Sequence, residues 1–173
     1  MLDLTYISPY NAISDPSFCS SSKKHPVVIQ RKVDAMKTPR DLPPSKARTK
    51  AEGNISAKAS IFIDVAGDPQ GGYAGYTMGT LFIPPGGIKD SESVGLNAST
   101  FTVVSAQPDS LHLAYCDPTE AKKHRYDPER STHFLLGPGD IFHVPHMNAY
   151  RLRNHSKDQE CVVTWTVIKG PDT

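Results

Sequence analysis

A series of short β-type runs, regularly spaced from about residue 59 onward, constrains the fold most strongly. Each run is rich in β-branched or aromatic residues and is followed by glycine, proline, asparagine or aspartate, which favour turns. The runs cover residues 61–63, 79–83, 100–105, 111–115, 132–136, 140–144, 149–153 and 161–168. Eight short strands joined by such turns predict an all-β sandwich or barrel.

The last run has apolar residues on both of its alternating faces. Cys161, Val163 and Trp165 fall on one face, and Val162 and Ile168 fall on the other. A strand of this kind is typical of a sheet that is covered on both sides, by the barrel interior and by a partner. We therefore predict a face that pairs two barrels, with the candidate residues Phe82, Phe142, Val144, Val162 and Trp165. The alternative for each of these residues is packing in the core of a single barrel.

The residues before the first run differ in composition. Residues 21–60 hold ten Lys/Arg and three Asp/Glu, a local charge of +7, whereas the whole chain carries only +1. We predict a basic, mostly irregular N-terminal extension over residues 1–58 and one domain over residues 59–173. Residues 27–29 could add an edge strand to that domain. Residues 21–60 could make weak contact with nucleic-acid phosphates, or could serve only as a solubilising tether.

Several protein classes do not fit the sequence. No apolar run approaches the length of a membrane span, and the first residues lack the pattern of a signal peptide, so we expect a soluble, intracellular chain. Three cysteines without CxxC spacing do not predict a disulfide framework or a zinc ribbon. The seven histidines are scattered over runs and turns, and hydrogen-bonding surface positions explain them better than a metal site. The sequence has no Gly-x-Ser-x-Gly elbow.

One stretch near the C-terminus carries a recognisable motif. Gly139 is followed at fixed spacing by Pro145, Tyr150 and Asn154, which resembles the second motif of the cupin superfamily. Two positions depart from that motif: Met147 stands where glycine is usual, and Tyr150 stands where cupin enzymes place a metal-binding histidine. The region that resembles the first motif, residues 79–104, contains no histidine. Asp90 and Glu92 are its carboxylates, and we expect both in a loop.

A narrower resemblance covers about residues 79–169. The run Pro84-Pro85-Gly86-Gly87, the run 99–104 and the stretch 137–154 resemble the C-terminal cupin domain of the centromere protein C family. That family lacks the metal ligands and keeps a tyrosine at the position of Tyr150. The resemblance implies a jelly-roll barrel with no metal or other cofactor, and it implies no catalytic activity. It also implies a location in the nucleus, at the centromere and kinetochore.

The same resemblance implies a role as a homodimerisation domain of an inner-kinetochore scaffold, with kinetochore proteins as further partners. The centromeric nucleosome would be contacted only by other parts of a longer protein. Two alternatives remain: a metal-free cupin that binds a small ligand in a pocket lined by Phe101, Tyr150 and Leu152, and a cupin-type metalloenzyme. The sequence leaves open the role of the loop over residues 116–131.

Overall fold

The computed structural model describes residues 39–116 and 128–170, apart from residues 69, 71 and 73. Over this part of the chain, ten strands form two antiparallel sheets that pack face to face as a jelly-roll barrel. The predicted all-β class is confirmed. No helix within the described ranges has both the length and the apolar character needed to cross a bilayer.

The two sheets differ in size. The larger one has the order β1 (Arg40–Asp41), β2 (Lys58–Val65), β3 (Tyr76–Ile83), β10 (Cys161–Ile168), β5 (Ala98–Ser105) and β8 (Ile141–Val144). The smaller one has the order β4 (Ile88–Ser93), β9 (Ala149–Asn154), β6 (Leu111–Cys116) and β7 (Thr132–Leu136). One short helix, α1 (Lys46–Glu52), and a 3-10 turn (Pro128–Arg130) complete the regular structure of the described residues.

All eight predicted runs form strands, but the expectation that Asp90 and Glu92 lie in a loop is wrong. Both belong to β4, which pairs with β9. The strand is hard to predict because Ile88 is followed by five polar residues and no apolar alternation is visible. Lys89 nevertheless turns into the barrel, where it is 6% exposed.

Alternating apolar residues of the two sheets fill the barrel. Leu81, Phe101 and Val163 come from the larger sheet and face Leu113 and Leu152 of the smaller one. Each of these five side chains is at least 97% buried. Burial of this kind stabilises the fold by roughly 1.5–3 kcal/mol for each large apolar side chain.

The described part of the N-terminal extension lies against the barrel. The Leu42 amide donates to the Ala57 carbonyl at 3.0 Å, the Ser45 amide donates to Asp90 at 2.7 Å, and Arg151 forms an ion pair with Glu52 at the end of α1. The edge strand of the extension is β1, paired with β2. The edge strand predicted over residues 27–29, and residues 117–127 of the long loop, lie outside the described residues.

Candidate functional site

The inner face of the larger sheet borders a cavity of about 300 Å³. Phe101 and Tyr150 line this cavity, with their ring centres 5.0 Å apart. Phe142 stacks on the other side of Phe101, with a ring-centre distance of 4.6 Å and an interplanar angle of 9°. Leu152, the third residue predicted for the pocket, is fully buried in the core and does not line the cavity.

One end of the cavity is polar. The Lys89 ammonium lies 2.5 Å from a carboxylate oxygen of Glu92 and 4.6 Å from the ring centre of Tyr150. Burial, and secondly the charge of Glu92, raise the pKa of the Tyr150 phenol well above its ordinary value. The Lys89–Glu92 ion pair and the protonated Tyr150 phenol therefore lie together at this end of the apolar barrel and close it.

This polar end does not fit a divalent cation. Metal sites need several converging nitrogen, oxygen or sulfur ligands, usually with anionic character. Tyr150 resists ionisation, and the nearest charged group to its ring is the Lys89 cation. Among the residues that the structure describes, no group of three or more His, Cys, Asp or Glu side chains is placed to hold a metal ion.

Trp165 also lines the cavity. It pairs with Gly79 across β10 and β3 and with Phe101 across β10 and β5. Its indole N–H is buried, and no acceptor within the described ranges lies at hydrogen-bond distance. Buried indole N–H groups usually have a partner, so this donor is an exception in the core.

The outer face of the larger sheet is uncharged across its three central strands. Phe82 of β3 lies opposite Val162 of β10, and Thr80, Thr164 and Thr102 form a row across the same face. The remaining outward positions of these strands are Tyr76, Met78, Thr166, Ile168, Ala98, Thr100 and Val104. No Asp, Glu, Lys, Arg or His occurs among these twelve positions.

The five predicted interface residues separate into two groups. The side chains of Phe82 and Val162 face outward and are half-buried. Phe142, Val144 and Trp165 face inward: Phe142 and Val144 belong to the core, and Trp165 packs against it. Phe142 and Val144 are inside because strand alternation puts Ile141 and His143 on the outer face instead.

Sequence reasoning missed two exposed apolar residues on this outer face. Val104 is 54% exposed, and Ile141, on the neighbouring strand β8, is 68% exposed. Their alternation with Val103 and Phe142 is visible in the sequence. Alternation alone does not say which set faces the core, and that assignment needs the second sheet.

No protein-family model and no curated protein sequence matches the chain. Among solved structures, it is similar to the Cnp3 cupin domain of Schizosaccharomyces pombe, with 16% identity over 65% of this chain and 61% of that one, and a TM-score of 0.48. The chain thus spans about three fifths of the length of that protein. It is also similar to the CENP-C cupin domain of Drosophila melanogaster, with 13% identity over 60% of this chain and 72% of that one, and a TM-score of 0.41.

A third similar structure is KdgF from a Halomonas species, with 15% identity over 67% of this chain and 81% of that one, and a TM-score of 0.43. The described residues form a jelly-roll barrel of two antiparallel sheets. Since one barrel fold serves several unrelated functions, the role of this chain has to be argued from its own surfaces.

Proposed function

We propose that this chain is a non-catalytic homodimerisation domain of an inner-kinetochore scaffold protein, and that two copies pair through the outer face of the larger sheet. The observation that supports the proposal is the absence of charge at the twelve outward positions of β3, β5 and β10. An antiparallel sheet face in contact with water normally carries polar and charged residues. This face carries threonines flanked by Phe82, Val162 and Val104, and no charged residue.

A second copy of the chain is the occupant that suits this face. In a two-fold dimer the same patch meets itself, so a charge near the two-fold axis is brought close to its own copy. An uncharged face avoids that repulsion. The outer face of the smaller sheet is different, because Arg151 and Arg153 point outward from β9 and pair with Glu52 of α1. Charged groups that are already paired within the chain occupy that face.

Dimerisation would act through valency. Joining two long tethered chains raises the effective concentration of every other binding motif that they carry. The avidity for a multivalent target then increases by about 10²–10⁴ without any new contact by the barrel. The barrel needs no catalytic group for this role, since its contribution is to hold two chains together and to offer docking surfaces for partner proteins.

Light scattering of the whole 173-residue chain tests the dimer. We expect twice the chain mass of 18.9 kDa at low micromolar concentration. Thr164→Glu should give a folded monomer, because its neighbours on β3 and β5 are Thr80 and Thr102, so the new charge would be buried in the dimer without a partner. Leu135→Glu is the matched control: Leu135 is an exposed strand residue on the smaller sheet and is 58% exposed, so the variant should remain dimeric. A monomeric wild type would overturn the proposal.

The kinetochore assignment rests on the resemblance of residues 79–169 to the centromere protein C family. Its test is the position of a fluorescently tagged chain in dividing cells of the source organism, compared with the tagged Thr164→Glu variant. Foci that coincide with centromeric chromatin support the assignment. A diffuse signal for the dimeric wild-type chain would contradict it. The weak nucleic-acid contact of residues 21–60 is a separate proposal, and residues 21–38 of that segment lie outside the described residues.

A second candidate function, small-ligand binding in the barrel, is favoured by the cavity of about 300 Å³ that Phe101, Tyr150 and Trp165 line. A ligand with an apolar body would fill the space beside these three rings. The sole tryptophan makes the test direct, since fluorescence reports any occupant of the cavity. Saturable quenching by members of a fragment library would favour this function, whereas no response would leave the cavity as a packing feature.

A further inference from the structure

A surface pocket of about 280 Å³ lies between the turn after β3 and the turn after β9, away from the outer face of the larger sheet. Gly86 forms one wall, and Arg153, His155 and Lys157 form the other. Its residues include the Pro-Pro-Gly-Gly run and the turn that follows Asn154, two sequence motifs that dimerisation does not use.

The two turns are held together by hydrogen bonds. The side-chain amide of the fully buried Asn154 donates to the Ile83 carbonyl at 3.0 Å and to the Gln159 carbonyl at 2.8 Å, and its oxygen accepts from the Ser156 amide at 2.9 Å. The Gly86 amide donates to the Ser156 carbonyl at 3.1 Å. The pocket is therefore a fixed feature of the fold rather than a gap between mobile loops.

The pocket is cationic. Arg153, Lys157 and His155 line it without a carboxylate among the lining residues. Glu52 lies 3.8 Å from the Arg153 guanidinium but is also paired with Arg151, and Asp158 accepts a hydrogen bond from Ser156. The Arg153 side chain lines the pocket and is 40% exposed, so its guanidinium has N–H groups left for a bound anion.

A cluster of histidines lies beside this pocket on the smaller sheet. His112 and His133 lie on different strands, and the structure joins them by a hydrogen bond of 2.9 Å between their ring nitrogens. The His155 ring lies 5.5 Å from the His112 ring. Burial lowers the pKa of both His112 and His155. The neighbouring cations lower it further: Arg153 for His155, and His133, His155, Arg151 and Arg153 for His112.

We propose that this pocket binds the phosphate group of a phosphoserine or phosphothreonine on a partner protein. The Arg153 guanidinium, the Lys157 ammonium and the His155 ring are the donors available to the phosphate oxygens. Arg and Lys form short, charge-assisted hydrogen bonds with phosphate, and a phosphorylated side chain carries about −1.5 to −2 charges at neutral pH. The cations converge on one pocket, which suits a single phosphate, whereas a nucleic-acid strand needs a track of cations along its backbone.

The experiment is an NMR titration of the whole chain with three probes at equal ionic strength: a degenerate peptide library with one central phosphoserine, the same library with serine, and duplex DNA. We expect saturable shifts of the Gly86 and Ser156 amides and of the His155 ring with the phosphoserine library alone. No saturable shift at these positions would overturn the proposal, as would a stronger effect of the unphosphorylated library or of DNA on the same signals.

Two variants link the binding to the pocket. Arg153→Gln and Lys157→Gln should each weaken binding of the phosphoserine library by about tenfold, the loss typical of one charge-assisted hydrogen bond. Lys157 is exposed, so Lys157→Gln should leave the fold intact. It therefore tests the pocket even if Arg153→Gln unfolds the chain. Lys46→Gln removes an exposed cation from α1, away from the lining of the pocket, and should bind like the wild type. Equal weakening by all three variants would show a general charge effect and would contradict a specific pocket.

Discussion

Trp165 lies directly opposite Gly79 in the ladder between β10 and β3, and its indole occupies the space that a side chain at position 79 would take. A Cβ at Gly79 would overlap ring atoms of Trp165 and the carbonyl oxygen of Ser60. The glycine thus makes room for a large aromatic ring on the inner face of the sheet, where Trp165 lines the cavity.

We therefore predict that Gly79→Ala lowers the free energy of unfolding by about 1–3 kcal/mol, the usual cost of adding atoms to a packed interior. Urea unfolding followed by the fluorescence of Trp165 measures the change. Gly137→Ala is the control, because a Cβ there would meet its nearest neighbour, the Asp109 amide nitrogen, at an ordinary 3.5 Å. Equal stability of the Gly79 variant and the control would refute this account of the pair.

Asn154 joins two turns through its side-chain amide, as described for the surface pocket. Asn154→Ala removes hydrogen bonds to the carbonyls of Ile83, Pro84 and Gln159 and leaves the Ser156 amide without its acceptor. We expect the free energy of unfolding to fall by about 2–4 kcal/mol, because several buried polar groups lose their partners together. Thermal or urea unfolding provides the measurement.

Asn148→Ala is the matched control for Asn154→Ala. The Asn148 amide donates to the His146 carbonyl at 3.2 Å in an exposed turn, so its loss should change stability by less than about 0.5 kcal/mol. If the two variants prove equally stable, Asn154 is not the structural link that its hydrogen bonds indicate.

The histidine cluster predicts a pH dependence of stability. The folded state lowers the pKa of His112 below 6.5, so between the lowered value and 6.5 the folded chain binds fewer protons than the unfolded chain. The free energy of unfolding should therefore decrease as the pH falls through that interval. Above the interval, the contribution of His112 to stability should be fully present. Burial contributes most to the lowered pKa of His112, followed by the charges of His133, His155, Arg151 and Arg153. Glu52 is the nearby carboxylate, paired with the two arginines.

Urea unfolding at several pH values from about 7.5 to about 5 measures this dependence. His112→Gln should flatten the decrease, since its ring no longer resists protonation in the folded state. His146→Gln, which changes an exposed histidine in the turn after β8, should keep the slope of the wild type. A slope that is unchanged in the His112 variant would contradict the assignment.

The strand pattern was predictable because turn residues separate the runs and because the core strands alternate cleanly. Strand β4 was not predictable, since Lys89 breaks the apolar alternation and is stabilised inside the barrel by Glu92, the Asp90 carbonyl and the Tyr150 ring. The Tyr150 ring lies on another strand, β9, and a partner of that kind cannot be inferred from local sequence.

The candidate interface was predictable only in part, again because contacts with other strands are not visible in the local sequence. Phe82 and Phe142 are similar aromatic residues in similar strands, yet Phe82 faces outward and Phe142 stacks on Phe101. Alternation fixes two sets of residues on each strand, and the packing of the second sheet decides which set is inside. The His112–His133 contact likewise depends on the register between β6 and β7, which the sequence does not state.

Isotope-filtered NMR on an equal mixture of labelled and unlabelled whole chains tests the pairing of the outer faces most directly. We predict contacts between copies at the methyl groups of Val162, Thr164 and Thr166, the outward residues along β10. The account is contradicted if contacts between copies are absent at micromolar to millimolar concentration, or if they arise instead from Leu135 on the smaller sheet.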